Sequence, residues 1–147
     1  MRRIPIGATG AFTLEAPPGH LASRFEDAML PDDLATPVLV MVIENAALAA
    51  LEPYLEPGET AVATGVDLRH LAPVGMPVIG EAAVTRVEGR RVEFRVSAMD
   101  ESGEIGVGSH ARMVVDATRM ERVVEAKRSA TRVLAGSPVR FSSRGTA

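Results

Sequence analysis

The run from Pro37 to Leu51, PVLVMVIENAALAAL, contains one charged residue, Glu44. Taking an ionised carboxylate out of water is costly unless it is paired or hydrogen-bonded, so an acid in this run needs a polar partner nearby. Two roles fit such a group: half of a structural ion pair with an arginine, or a base or nucleophile in a reaction. The other groups able to exchange protons near neutral pH are His20, His70 and His110, since an unperturbed imidazole titrates at about 6.5. His20 follows the Pro17-Pro18-Gly19 break, has no evident partner and is assigned nothing. His70 ends a strand beside Pro73 and Gly75, where a surface histidine is unremarkable. His110 alternates onto one strand face with Gly108 and Arg112, and a structural hydrogen bond is its expected role. Cysteine is absent, which excludes a thiolate nucleophile, a disulfide framework and a cysteine metal site, and fits a reducing cytoplasm.

The elements that position these groups follow from period and punctuation. Thr36 suits a helix N-cap and Pro37 the first helical position, where its missing N–H goes unused; Pro53 stops the helix after Leu51. Upstream, AFTLEA (11–16) is a short strand candidate, and Leu21 to Leu30 a short helix or loop. After Pro57-Gly58 the period changes from helical to alternating. Four strands are expected, Thr60 to His70, Pro77 to Val87, Arg90 to Met99 and Ile105 to Asp116, with turns at Glu88-Gly89 and Asp100 to Glu104. Read as consecutive hairpins, they make an antiparallel sheet. Met120 to Leu134 has helical propensity and high charge. The expected organisation is one domain over 1–127 and a mobile tail over 128–147. A helix apolar on all sides must be covered on all sides. A curved antiparallel sheet wrapped around one central apolar helix, helped by a second subunit, does this. The expected class is therefore α+β, with the hotdog fold.

Composition narrows the function classes. At 147 residues the chain has length for one ordinary domain. Its formal charge of -3, with no basic stripe interleaved with aromatics, argues against nucleic-acid binding. Pro5, Gly7 and Gly10 interrupt any early apolar run, so no export signal is expected. Val38 to Leu51 falls short of the roughly 20 residues needed to span a bilayer and is read as a core helix, with no membrane partner. Arg90, Arg91 and Arg95 fall on a solvated hairpin face rather than on a phosphate site.

Taken together, Thr36 and Glu44 in TPVLVMVIE, LEPYLEPGET (51–60), His70 in VDLRHLAPVG, VEGRRVEFRVSAMD (87–100) and GSHARMVV (108–115) resemble the hotdog-fold acyl-CoA thioesterases, in particular the fluoroacetyl-CoA thioesterase-like family. The resemblance covers roughly Pro31 to Asp116. It implies hydrolysis of an acyl-CoA thioester by Thr36, Glu44 and His70, with no metal and no cofactor beyond the coenzyme A of the substrate. Glu44 then serves as base or nucleophile, His70 as proton carrier, and Thr36 as a hydroxyl beside the free N–H groups of the helix start. Leu30 stands where the specialised enzymes carry an aromatic lid residue, and Pro37 where they carry a glycine, so fluoroacetate selectivity is not implied. Leu30 and Gly65 are the expected substrate-binding positions, Gly65 as a point of close approach or of packing. Eight residues at 1.5 Å rise put Thr36 and Glu44 about 12 Å apart, so each site is expected to draw on both subunits of a homodimer or higher homo-oligomer. A non-catalytic acyl-CoA binder and a hotdog hydratase or dehydratase are the competing functions.

Overall fold

The computed structural model describes residues 1–15, 34–72 and 77–134. Helix α1 (Thr36–Leu51) starts on a cap different from the expected one. Ala35, with extended backbone, is the N-cap; among the described residues no side-chain cap hydrogen bond is formed, and Pro37 sits in the first turn. The carbonyl of Ala35 accepts from Val38 N at 2.9 Å and Leu39 N at 3.1 Å. Thr36 is thus the first helical residue and its hydroxyl is not used for capping. A 3-10 turn (Glu52–Tyr54) containing Pro53 ends the helix.

One face of α1 is buried, through Val38, Leu39, Val42, Ile43, Ala46, Ala47, Ala50 and Leu51. Pro37 and Met41 are exposed, and Glu44, Asn45 and Leu48 are partly exposed. The expectation of a helix buried all round therefore does not hold within one chain: a sheet on one side of a cylinder ~10 Å wide covers only that side. Extended through Tyr54, this segment is by length and composition apolar enough to cross a membrane; here it packs on the sheet as the central core element. Fully buried Leu39, Ile43 and Phe94 each contribute on the order of 1.5–3 kcal/mol by leaving water.

The remaining elements are β1 (Thr9–Leu14), β2 (Glu59–His70), β3 (Val78–Glu88), β4 (Arg91–Asp100), β5 (Gly103–Asp116) and α2 (Ala117–Leu134). The strands form one five-stranded sheet in the order β1-β3-β4-β5-β2, antiparallel throughout. The β3-β4 and β4-β5 hairpins are as expected, with Gly89 at φ 59 in the first turn and Gly103 at φ 128 in the second. The expected hairpin between β2 and β3 is not formed. These strands lie three places apart, about 14 Å at normal strand spacing, and β2 pairs with β5 at the far edge. The chain from 71 to 77 has seven residues, enough to make that crossing.

Helix and sheet meet backbone to backbone at two glycines. A Cβ on Gly10 would collide with the Ala46 carbonyl and the Ala50 amide of α1, and one on Gly80 would lie 2.7 Å from Val42 Cγ1. The charged helix α2 runs through Leu134, beyond the expected start of a tail at 128, and is exposed over most of its length. Residues 135–147, like the segment Leu21 to Leu30, lie outside the described residues.

Candidate active site

The antiparallel pairing of β2 with β5 sets His70 opposite Gly106, and Leu71 N donates to Ile105 O at 2.8 Å. This anchors the end of β2 beside the start of α1. Thr36 Oγ1 and His70 Nδ1 are 3.1 Å apart, so the hydroxyl that does not cap the helix holds the imidazole instead. His70 is half-buried, and its Nε2 is buried and forms no hydrogen bond among the described residues. If the Thr36 hydroxyl donates to Nδ1, Nε2 carries the ring proton and presents a donor; if Nδ1–H donates to Thr36, Nε2 presents a base. The helix start supplies fewer free donors than expected, because Pro37 has no N–H and those of Val38 and Leu39 are spent on Ala35.

Glu44 lies about two turns further along α1, on the border between its covered and uncovered faces. It is partly exposed rather than buried. Across from it, β5 directs Arg112 and His110 inward, 7% and 3% exposed. Arg112 Nη1 donates to the backbone carbonyl of Glu44 at 3.4 Å and lies 3.2 Å from His110 Nε2; Nη2 donates to Ala61 O at 2.6 Å. The arginine that a structural ion pair requires is thus present, yet its hydrogen bond to Glu44 goes to the main chain and leaves the carboxylate available. Burial pushes the Arg112 pKa down, and the negative charge of Glu44 opposes that shift.

Of the expected catalytic residues, the fold brings Thr36 and His70 together and sets Glu44 apart from them within one chain. Leu30 and His20 lie outside the described residues. Gly65 is exposed, and a Cβ there would meet nothing within 4 Å. Close approach of the helix therefore does not account for it. Instead, the Gly65 carbonyl lies 2.8 Å from His110 Nδ1, which gives His110 the structural hydrogen bond expected of it. Arg90 and Arg91 are exposed and pair with Glu59 at 2.9 Å and Glu93 at 3.3 Å; Arg95 is exposed. Among the described residues no three His, Asp or Glu side chains converge as metal ligands. Arg112, placed from the sequence only as a strand-face neighbour of His110, is the residue whose link to Glu44 the sequence did not reveal. Its signal was the alternation that places it on the same strand face as buried Val114.

Residues 18–118 match the family model of the fluoroacetyl-CoA-specific thioesterase, FlK. The chain belongs to this family. A fluoroacetyl-CoA thioesterase of Streptantibioticus cattleyicolor is 40% identical over 104 residues, which cover 69% of this chain and 75% of that one. The crystal structure of the fluoroacetyl-CoA thioesterase FlK superposes with a TM-score of 0.79 at 34% identity, over 85% of this chain and 98% of that chain. A Thermus thermophilus protein of the thioesterase superfamily gives a TM-score of 0.82 at 31% identity, over 90% and 99%. As a member of this family the chain is a thioesterase with the hotdog fold, a curved antiparallel sheet around a central helix.

Proposed function

We propose that the chain hydrolyses an acyl-CoA thioester to the free acid and coenzyme A, with Thr36, His70 and Glu44 as the reacting set. Membership of the thioesterase family supports the reaction class. The observation that carries the site is the Thr36–His70 contact of 3.1 Å, with a buried Nε2 on the far side of the ring that has no hydrogen-bond partner among the described residues. In the reaction, Glu44 takes a proton from the attacking water, or itself attacks the carbonyl carbon to form an anhydride that water then opens. The C–S bond breaks, and the sulfur of coenzyme A leaves with a proton delivered from His70, which Thr36 holds in orientation.

The spacing along α1 directs the assembly. A continuous helix keeps Glu44 about 12 Å from Thr36, so one thioester carbonyl does not reach both within one chain. We infer a homodimer in which the uncovered faces of two α1 helices meet antiparallel, bringing Glu44 of one copy to the Thr36–His70 pair of the other. On the uncovered face, exposed Met41 and partly exposed Leu48 favour such burial, beside the polar Thr36, Glu44 and Asn45. Free-thiol release from a panel of acyl-CoA esters, run on wild type and Glu44→Ala, tests the reading. Undiminished hydrolysis by the variant would refute it. An acyl-CoA binder would protect its ligand and release no thiol, and a hydratase would convert an enoyl-CoA without releasing thiol.

A further inference from the structure

His110 has no part in the reaction outlined above, although it is a buried titratable group on the inner face of the sheet. Its two nitrogens face partners of opposite kinds. At Nδ1 stands the Gly65 carbonyl, 2.8 Å away, which only accepts; at Nε2 stands Arg112 Nη1, 3.2 Å away, which only donates. These partners admit one form of the ring, neutral with its proton on Nδ1. The ring also stacks on Phe94, with centroids 6.0 Å apart and planes 28° apart. A leucine or phenylalanine would fill that space without desolvating two polar nitrogens, so the polar links are what require histidine here.

The links form one chain across the sheet. Gly65 adjoins the register shift of β2 between Ala63 and Gly65. His110 joins that irregularity to Arg112, and Arg112 in turn holds the carbonyls of Ala61 on β2 and Glu44 on α1. We propose that His110 is a positioning residue for the hydrolysis: as a neutral imidazole it locks the Arg112 guanidinium against the turn of α1 that carries Glu44. The proposal rests on the reading of Glu44 as the reacting carboxylate. Protonation of His110 would set an N–H against Arg112 Nη1, two donors of like charge, and release the guanidinium. The charged groups facing the ring are Arg112 from β5 and Glu44 from α1; β2 presents the Gly65 carbonyl and β4 the Phe94 ring. Burial pushes the His110 pKa below its ordinary value and Arg112 acts in the same direction, against the Gly65 bond and the charge of Glu44.

Two measurements on the full chain test this. Imidazole nitrogen NMR of wild type should show neutral His110 as the Nδ1–H tautomer, taking up its second proton only below the ordinary imidazole range. An Nε2–H tautomer, or a ring that protonates above that range, overturns the proposal without any variant having to fold. In thiol-release kinetics His110→Phe, which keeps the stack and removes both links, should lower kcat by about tenfold or more with little change in KM. His110→Gln, which can donate and accept without titrating, should recover kcat to within about threefold of wild type. A folded His110→Phe with wild-type kcat, while Glu44→Ala is inactive, overturns the positioning role alone. Wild-type hydrolysis by Glu44→Ala overturns the site reading on which it depends.

Discussion

The two polar stations along α1 are satisfied in different ways. At the helix start, Thr36 and His70 share one contact, and among the described residues His70 Nε2 has no hydrogen-bond partner. Two turns along, His110 uses both nitrogens, and Arg112 binds two carbonyls and the ring. The Glu44 carboxylate sits at the rim of that network, half-exposed, and receives no hydrogen bond from Arg112. Linked networks rigidify, and the second station is the more linked one even though Arg112 Nε, like His70 Nε2, is buried without a hydrogen-bond partner among the described residues. The proposed function gives chemistry to Thr36, His70 and Glu44, and support to His110 and Arg112.

The sharpest way to break that division is Glu44→Ala. Thiol release from acyl-CoA should fall by roughly 10²–10⁴-fold, while the melting temperature falls only modestly, because the Arg112 hydrogen bond to the main chain is kept and only the charge of Glu44 is lost. A variant that melts early and hydrolyses normally would move Glu44 to the supporting side. Arg112→Met should show the opposite signature in stability. It leaves Ala61 O and His110 Nε2 without their donor, and denaturant unfolding should report a loss of about 2–3 kcal/mol.

His110 adds a pH dependence to the same station. Its folded pKa lies below the ordinary 6.5, so the unfolded chain binds the extra proton first. The stability this group supplies is complete above about pH 6.5 and declines as pH falls from there toward the folded value. Unfolding curves of wild type and His110→Gln should converge as the pH drops through that window. At the helix start, Thr36→Ala should cost about tenfold in kcat, with a stability change within about 0.5 kcal/mol, since no cap bond is lost; Thr36→Ser should restore the rate. A loss of about 1 kcal/mol on Thr36→Ala, as for a true N-cap, would contradict the placement of its hydroxyl.

The smallest expected effect lies away from both stations. Hydrogen bonds from the Met1 amine, the Glu56 amide and Arg90 lower the Glu59 pKa to about 2. Its contribution is therefore fully present above the ordinary 4.5 and disappears as pH falls through about 2. Glu59→Gln should be slightly less stable than wild type at neutral pH and equal to it near that lower limit.

Much of this arrangement was legible in the residues. The switch from the apolar run around Glu44 to the alternation of Val92, Phe94 and Val96 marked the central helix and the sheet, and Glu88-Gly89 marked a hairpin. Sequence neighbours are not always sheet neighbours, and no local signal on 71–77 revealed that β2 crosses to the far edge. The Thr36 cap was misplaced because threonine before proline fits both an N-cap and a first helical residue; the contact with His70, 34 positions away, decides between them. Arg112 was placed on the His110 face but given no role, because its partners, Ala61 and Glu44, are brought to it only by the fold.

In the proposed dimer a working site joins Thr36 and His70 of one chain to Glu44 of the other. Co-expression of Glu44→Ala with His70→Ala, each inactive alone, tests it most directly. In a freely mixed dimer population half the dimers are hybrids, each with one intact site, so thiol release should return to about a quarter of the wild-type rate. Mixed protein that forms hybrid dimers yet stays as inactive as its parents would contradict the account.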